Sequence, residues 1–416
     1  MPVWRPFTTH YPGMPEAIPI VRAQGAYLYT ADGRALWDGT SAWWVTVHGH
    51  CHPYIAEAIA SQARTLDQVL FADFTHPAAE ALVQRLGERT GLKWGFFSDD
   101  GSTAVEVALK IALQYFHNRG ERRTRLLALE GAYHGDTFGA MSVSARSRFS
   151  APFADLLFEV EWLPFPSPDN EDLLYQKLQA IEGRADIAAF IGEPLLQGTA
   201  GMRGYLPKYW DVIARAVRQA GGLVIADEVF TGFGRTGTLF ATDQCAEKPD
   251  ILCLSKGLTG GFMPLGLTLV HERVFEAFFT GEPLKTFFHG HSYTGNPLAC
   301  AAALANLELW ERAETQAQLE ALVRTQAELA RAWAERFPSL PVRQVGLVWA
   351  TELPDSDTGY LSHHRHQLKA FALERGIYLR PLGNVAYILP TLASTAAELS
   401  RAVEVVAEYT TDAKLA

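Results

Sequence analysis

Apolar residues in this chain fall into two kinds of pattern. One is the short unbroken run: Leu126–Leu129, Ile187–Gly192, Leu223–Ala226 and Ile251–Leu254. Such runs predict strands buried on both faces, as in a mostly parallel sheet covered by helices. The other is the longer stretch with a helical period, at 53–65, 77–90 and 102–118. The two kinds alternate from about residue 53, which predicts an α/β fold. Ahead of them, Tyr27-Leu28-Tyr29 and Ala35-Leu36-Trp37 flank Asp32-Gly33, which predicts a hairpin.

The pattern changes near residue 296. A stretch rich in Ala, Leu, Glu, Arg and Gln over 296–336 has helical character and reads as the bridge to a smaller α+β domain. That domain would hold Val342–Glu352, a helix near 364–375, the strand-like Ile377–Leu379 and Tyr387–Leu389, and a last helix at about 395–409. The chain has 416 residues, and one hydrophobic core stops growing at roughly 250–300. The expected division is 1–52 as an N-terminal segment joining the small domain, 53–300 as the large domain and 301–416 as the small one.

Composition excludes more than it selects. The hydrophobic share of 48% and charged share of 20% are those of an ordinary globular protein. A net charge of -10 gives no electrostatic reason to bind nucleic acid or an anionic membrane. The cysteines Cys51, Cys245, Cys253 and Cys300 are scattered and form no Cys-x-x-Cys pair, which fits a reduced compartment and no structural zinc. The N-terminal residues contain no apolar signal region, and no apolar run reaches 18 residues. Together these features predict a cytoplasmic enzyme.

The candidate chemistry lies at strand ends. Leu223-Val224-Ile225-Ala226 runs into Asp227-Glu228, and Ile251-Leu252-Cys253-Leu254 runs into Ser255-Lys256-Gly257. Ligands of open α/β sheets bind beyond the carboxyl ends of the strands, so an acid and an amine are expected in one crevice. A lone Asp or Lys there is ordinarily half of a salt bridge. The pair also matches pyridoxal 5′-phosphate (PLP) chemistry, which needs a lysine to form a Schiff base and a carboxylate to keep the pyridine nitrogen protonated. A phosphate cradle is available in Ser98-Asp99-Asp100-Gly101-Ser102-Thr103. Gly101 permits close backbone approach, Ser102 offers a hydroxyl and can cap the following helix, and that helix's N-terminus attracts anions. Gly131-Ala132-Tyr133-His134-Gly135 puts an aromatic pair on a glycine-flanked turn, where a ring could stack on a flat cofactor.

Two other signals are set aside. Gly232-Phe233-Gly234-Arg235-Thr236-Gly237 matches G-x-G-x-x-G, but Thr238-Leu239-Phe240-Ala241-Thr242 has no helical face, so a structured turn is expected rather than a dinucleotide loop. Three histidine groups (His48, His50, His52; His289, His291; His363, His364, His366) lack zinc spacing, and no metal site is expected.

Taken in order, Ile225-Ala226-Asp227-Glu228-Val229, Gly232–Gly237 and Ser255-Lys256 resemble the signature of the class III aminotransferases. The resemblance covers nearly the whole chain. It implies PLP fold type I, the aspartate aminotransferase-like fold, with PLP as cofactor. Asp38-Gly39-Thr40-Ser41-Ala42-Trp43-Trp44, the run Gly131–Val143 and Leu379-Arg380-Pro381-Leu382-Gly383 resemble the branch that serves biotin synthesis. That resemblance implies amino transfer to 8-amino-7-oxononanoate, giving 7,8-diaminononanoate. By position it implies Lys256 as the catalytic, cofactor-bearing lysine and Asp227 as the pyridinium partner. Gly101 and Ser102 would hold the phosphate, and Tyr133 would contact cofactor and substrate. Trp43 would line the substrate pocket, and Arg380 would bind a substrate carboxylate by a two-pronged salt bridge. Gly290, His291 and Ser292 would reach across a homodimer to the other site.

Departures from the family pattern bear on the amino donor. No acidic residue follows Glu193-Pro194-Leu195-Leu196-Gln197-Gly198, where relatives using ornithine or γ-aminobutyrate carry a glutamate. Phe7 stands where users of S-adenosylmethionine carry tyrosine. His291-Ser292 stands where they usually carry Pro-Thr, and is similar to the lysine-dependent branch. The donor is S-adenosylmethionine or L-lysine. The alternative function is another class III ω-amino acid or amine:pyruvate transaminase. A PLP-fold regulator without turnover and a nicotinamide dehydrogenase lie further off.

Overall fold

All four apolar runs are strands of one seven-stranded sheet in the computed structural model, which describes residues 3–11, 14, 16–354 and 362–413. The sheet order is Trp94–Ser98, Gly266–Val270, Ile251–Leu254, Leu223–Asp227, Ile187–Gly192, Arg125–Leu129, Glu161–Leu163. From Ile251–Leu254 onward in that order every pairing is parallel. Gly266–Val270 runs antiparallel to both its neighbours. Alternate residues of the central strand explain the lack of any polar face. Leu223 and Ile225 join one buried cluster with Ala104, Val105 and Ala108 of the helix Gly101–Asn118. Val224 and Ala226 join another with Trp210, Ile213 and Val217 of the helix Pro207–Gln219. With an apolar layer on each side, both sets of side chains leave water.

The helices expected at 53–65 and 77–90 span Pro53–Thr65 and Pro77–Thr90. The hairpin also holds: Tyr27–Thr30 pairs antiparallel with Ala35–Asp38. Ile20–Gln24 adds a strand on one side, and Ile377–Tyr378 adds a parallel strand on the other. The stretch 296–336 is two helices, Pro297–Trp310 and Ala313–Arg336, parted by Arg312 in extended backbone. The first is apolar almost all round. The second buries only Leu319, Leu322, Gln326, Ala330 and Trp333, a single face. Val342–Glu352 is a hairpin that turns at Gly346, where φ is +55 and a Cβ would lie 2.2 Å from the Thr236 carbonyl carbon. The hairpin thus rests on the turn Gly232–Gly237, and Leu347 N–H donates to Arg235 O. That contact explains why Gly232–Gly237 is a packed turn. No helix among the described residues is long and apolar enough to cross a membrane.

Candidate active site

Asp227 ends its strand, and the parallel register sets it opposite Cys253, so Lys256 emerges from the neighbouring strand at the same sheet edge. Both line a cavity of ≈ 730 Å³, together with Trp44, Ser102, Tyr133 and His134. Burial pushes the Lys256 amine below its ordinary value, against the pull of Asp227 and Glu193. The neutral amine is the nucleophilic form.

Asp227 is held at both oxygens. Oδ1 accepts Val229 N–H at 3.0 Å, and Oδ2 lies 2.6 Å from His134 Nδ1. His134 is buried and its backbone N–H donates to Ser144 Oγ; its Nε2 has no partner among the described residues. Glu193 follows Ile187–Gly192 as Asp227 closes its own strand. Its carboxyl accepts Tyr133 N–H and Gly198 N–H, each at 3.0 Å. Burial pushes it up to about 7. Burial and the nearby Asp136 carboxylate hold the Tyr133 phenol well above its ordinary value.

On the opposite wall the cap of helix Gly101–Asn118 is Asp100, not Ser102 as the sequence reading had it. Asp100 Oδ1 accepts Thr103 N–H at 2.8 Å, while Thr103 Oγ1 accepts Asp100 N–H at 3.0 Å. This capping box frees the Ser102 hydroxyl, which pairs with Thr137 Oγ1 at 2.7 Å and accepts Thr137 N–H at 3.0 Å. Two glycines keep the wall low. A Cβ on Gly101 would lie 2.5 Å from Val229 Cγ1, and one on Gly135 would lie 2.3 Å from Ser102 Oγ. With Thr103 N–H taken by the Asp100 side chain and Ala104 N–H by its carbonyl, the Gly101 and Ser102 N–H groups are left as the helix's anion donors.

Four consecutive residues, Ser41, Ala42, Trp43 and Trp44, have φ of +50, +50, +64 and +77. A left-handed turn of L-residues costs about 1–2 kcal/mol per residue, so strong contacts must hold it. Asp38 accepts Thr40 N–H, Thr40 Oγ1–H and Ala42 N–H at 3.0, 2.8 and 2.6 Å. Arg235, 1% exposed, donates to Trp44 O at 3.1 Å and Thr46 O at 2.8 Å, and to Ser41 Oγ and Pro390 O at 3.4 Å. Burial pulls Arg235 down to about 10, which leaves it charged at neutral pH. Ser41 Oγ donates to Leu389 O, and Leu389 N–H donates to Gly39 O. The turn sends its two tryptophans apart. Trp44 lines the cavity, packs on Phe230 and donates to Tyr387 OH; Lys256 Nζ lies 5.5 Å from its ring centre. Trp43 stands with Arg380 4.6 Å over its ring and Phe7 edge-on at 5.5 Å. Arg380 Nη2 is buried without a partner among the described residues, and Phe7 O accepts from Arg365 at 2.9 Å.

The sequence-predicted residues therefore form three groups. Gly101, Ser102, Tyr133, Asp227 and Lys256 share the cavity. Phe7, Trp43 and Arg380 stack against one another. Gly290, His291 and Ser292 lie in a separate loop, where His291 Nδ1 is 3.5 Å from Asp99 Oδ2 and Ser292 O accepts from Gln68. Sequence reasoning assigned no role to Trp44, Glu193 or Arg235, and gave His134 only a ring-stacking one. Glu193 carried a usable signal, since it repeats the strand-then-carboxylate pattern of Asp227.

Residues 10–409 match the family model described as aminotransferase class-III. The chain is 47% identical over 407 residues to the adenosylmethionine-8-amino-7-oxononanoate aminotransferase of Synechococcus elongatus, covering 95% of each. Its structure is similar to that of the enzyme of the same name from Methanocaldococcus jannaschii, with a TM-score of 0.91, 33% identity and coverage of 99% and 97%. It is also similar to an amine transaminase from an uncultivated Pseudomonas species in a PLP-bound form, with a TM-score of 0.90, 31% identity and coverage of 97% of each chain.

Proposed function

The chain belongs to the class-III aminotransferase family, and from that premise we propose that it aminates 8-amino-7-oxononanoate to 7,8-diaminononanoate in biotin synthesis, with PLP held at Lys256. The observation that carries this reading is the meeting of the Lys256 amine and the Asp227 carboxylate at adjacent parallel strand ends over one cavity. The residues present fit the cofactor. Gly101 and Gly135 leave a wall that a Cβ would obstruct, the helix N-terminus and Ser102 suit a phosphate, and Asp227 faces the space a pyridine nitrogen would take.

When bound, PLP supplies an electron sink for bond breaking at the substrate Cα. The chain's own groups do the rest. Lys256 Nζ, disfavoured as an ammonium, takes and returns the Cα proton. Asp227 would hold the proton on the cofactor's pyridine nitrogen, and His134 fixes the direction of that carboxylate. Arg380 receives the substrate carboxylate in a two-pronged pair, braced on the Trp43 face. Trp44 and Tyr133 line the cavity in which the substrate would sit.

The relative's name supports S-adenosylmethionine as the amino donor. A second reading, L-lysine, is supported by Phe7, which brings no hydroxyl to the face of Trp43. We further propose a cytoplasmic homodimer in which Gly290, His291 and Ser292 reach the partner's cofactor phosphate, and a division at 1–52, 53–300 and 301–416.

Purified protein mixed separately with each donor tests the reading: only a true donor converts the cofactor to its amine form, seen as loss of the visible absorbance. An acceptor panel completes the test. Strong turnover with pyruvate and none with 8-amino-7-oxononanoate would overturn the biotin assignment in favour of an amine:pyruvate transaminase.

A further inference from the structure

Helix Pro297–Trp310 buries alanines, leucines and a single amide, Asn306, which is 0% exposed. Asparagine is a weak helix former, and a buried amide is costly unless its polar groups are paired. Here all are paired, and to a specific place. Nδ2 donates to Gly257 O and Leu258 O, each at 3.0 Å. Oδ1 lies 2.9 Å from His48 Nε2. With both N–H groups committed to carbonyls, the amide oxygen must accept, so His48 carries its proton on Nε2. Burial pushes His48 down to about 4, and the ring stays neutral at physiological pH.

Gly257 and Leu258 directly follow Lys256, whose φ is +44. The short turn Lys256–Thr259 closes at Gly260, itself at φ +64. Gly260 O accepts Val47 N–H, and Gly261 abuts Thr46 so closely that a Cβ would lie 2.7 Å from the Thr46 Cα. The His48–Asn306 pair therefore ties the lysine turn to the segment that leaves Trp44.

Resting on the reading of Lys256 as the cofactor lysine, we propose that Asn306 and His48 are positioning residues: they clamp the turn after Lys256 and so fix where its amine enters the cavity. Neither lines the cavity. The charged groups that act on the amine are Asp227, Glu193, Arg235 and Asp100, and none of them bonds Asn306 or His48. Arg235 also acts on the His48 ring, so it is the change on altering Asn306 that reports the amine's placement.

The test is the pH titration of the visible absorption band of the holoenzyme, run beside steady-state kinetics. Asn306→Leu removes both donors at similar volume. Its titration midpoint is expected to move by about half a unit or more. Its kcat is expected to fall about tenfold with KM within about twofold, because a displaced amine slows proton transfer without changing substrate binding. His48→Leu should follow it, and His48→Gln, which restores an N–H, should return toward the parent midpoint. If Asn306→Leu does not fold, Asn306→Ser, which keeps one donor, should show a midpoint between parent and His48→Leu. A midpoint and kcat matching the parent in whichever Asn306 variant folds would overturn the proposal. A parent protein with no visible band attached to Lys256 would instead remove the cofactor reading, and this proposal with it.

Discussion

His134 Nδ1 lies 2.6 Å from Asp227 Oδ2 with both side chains buried, so the carboxylate that faces the cavity is aimed by a ring behind it. A hydrogen bond to a charged group contributes about 1.5–3 kcal/mol, and 1.4 kcal/mol is a factor of ten in rate. His134→Phe should lower kcat/KM about 10- to 100-fold and lower the thermal midpoint too, since the ring volume is kept but the buried carboxylate loses a donor. His134→Asn, which can still donate, should lose less. Single-turnover rates with saturating donor measure both.

Arg235 holds the far end of the left-handed tryptophan turn through four acceptors, all on buried residues. Arg235→Met leaves those carbonyls buried and unpaired, at a cost on the order of 3–5 kcal/mol. Its turn should relax, and activity should fall through both kcat and KM as Trp43 and Trp44 shift. Arg235→Lys keeps the charge but cannot span all four acceptors, so it should fall between. Denaturant melts paired with kinetics check the two effects together.

Glu193 gives a pH signature. Its folded-state value of about 7 lies above the ordinary 4.5, so the folded chain holds this proton more tightly than the unfolded chain does. That contribution is complete below about pH 4.5 and is lost as pH rises through about 7. Glu193→Gln lacks the ionisation. Relative to the parent it should gain on the order of 2–3 kcal/mol between pH 4.5 and pH 7.5. Parallel stability curves for the two proteins across that interval would show that Glu193 does not titrate there.

Arg380 stands over the Trp43 ring with its Nη2 buried and, among the described residues, without a partner. Arg380→Ala should raise KM for carboxylate-bearing substrates about 100-fold or more, because a two-pronged pair is lost. Simple alkyl amines, which bring no carboxylate, should react at near-parental rates. Comparing the two substrate classes separates loss of recognition from loss of fold.

The parts of this architecture that were legible are those where local pattern and tertiary role agree. Ile187–Gly192 and Ile251–Leu254 are apolar because both faces are covered, and their bounds match the sequence reading. Trp94–Ser98 and Gly266–Val270 escaped it because glycine and serine or threonine interrupt the run, and antiparallel pairing, with each other and of Gly266–Val270 with Ile251–Leu254, makes strands of both. The bridge over 296–336 was read as one element because composition does not mark the turn at Arg312. In the site, Lys256 and Asp227 were readable from strand ends. Arg235 was not, since its partners are main-chain carbonyls from Trp44, Thr46 and Pro390, which no side-chain motif advertises. The capping role went to Asp100 rather than Ser102 because a carboxylate one residue before the helix reaches Thr103 N–H directly.

Ser41 and Leu389 are joined by a hydrogen bond across 348 positions of the chain. At ribosomal rates of about 5–20 residues per second, roughly 17 to 70 s separate the synthesis of the two. During that interval the glycine wall, Arg235 and Lys256 are made in turn, while the turn that carries Trp43 and Trp44 lacks its bond from Ser41 to Leu389 until the interval ends. The turn that carries Trp43 and Trp44 therefore gains its last tie only once Leu389 has been made and the two ends of this long span have met.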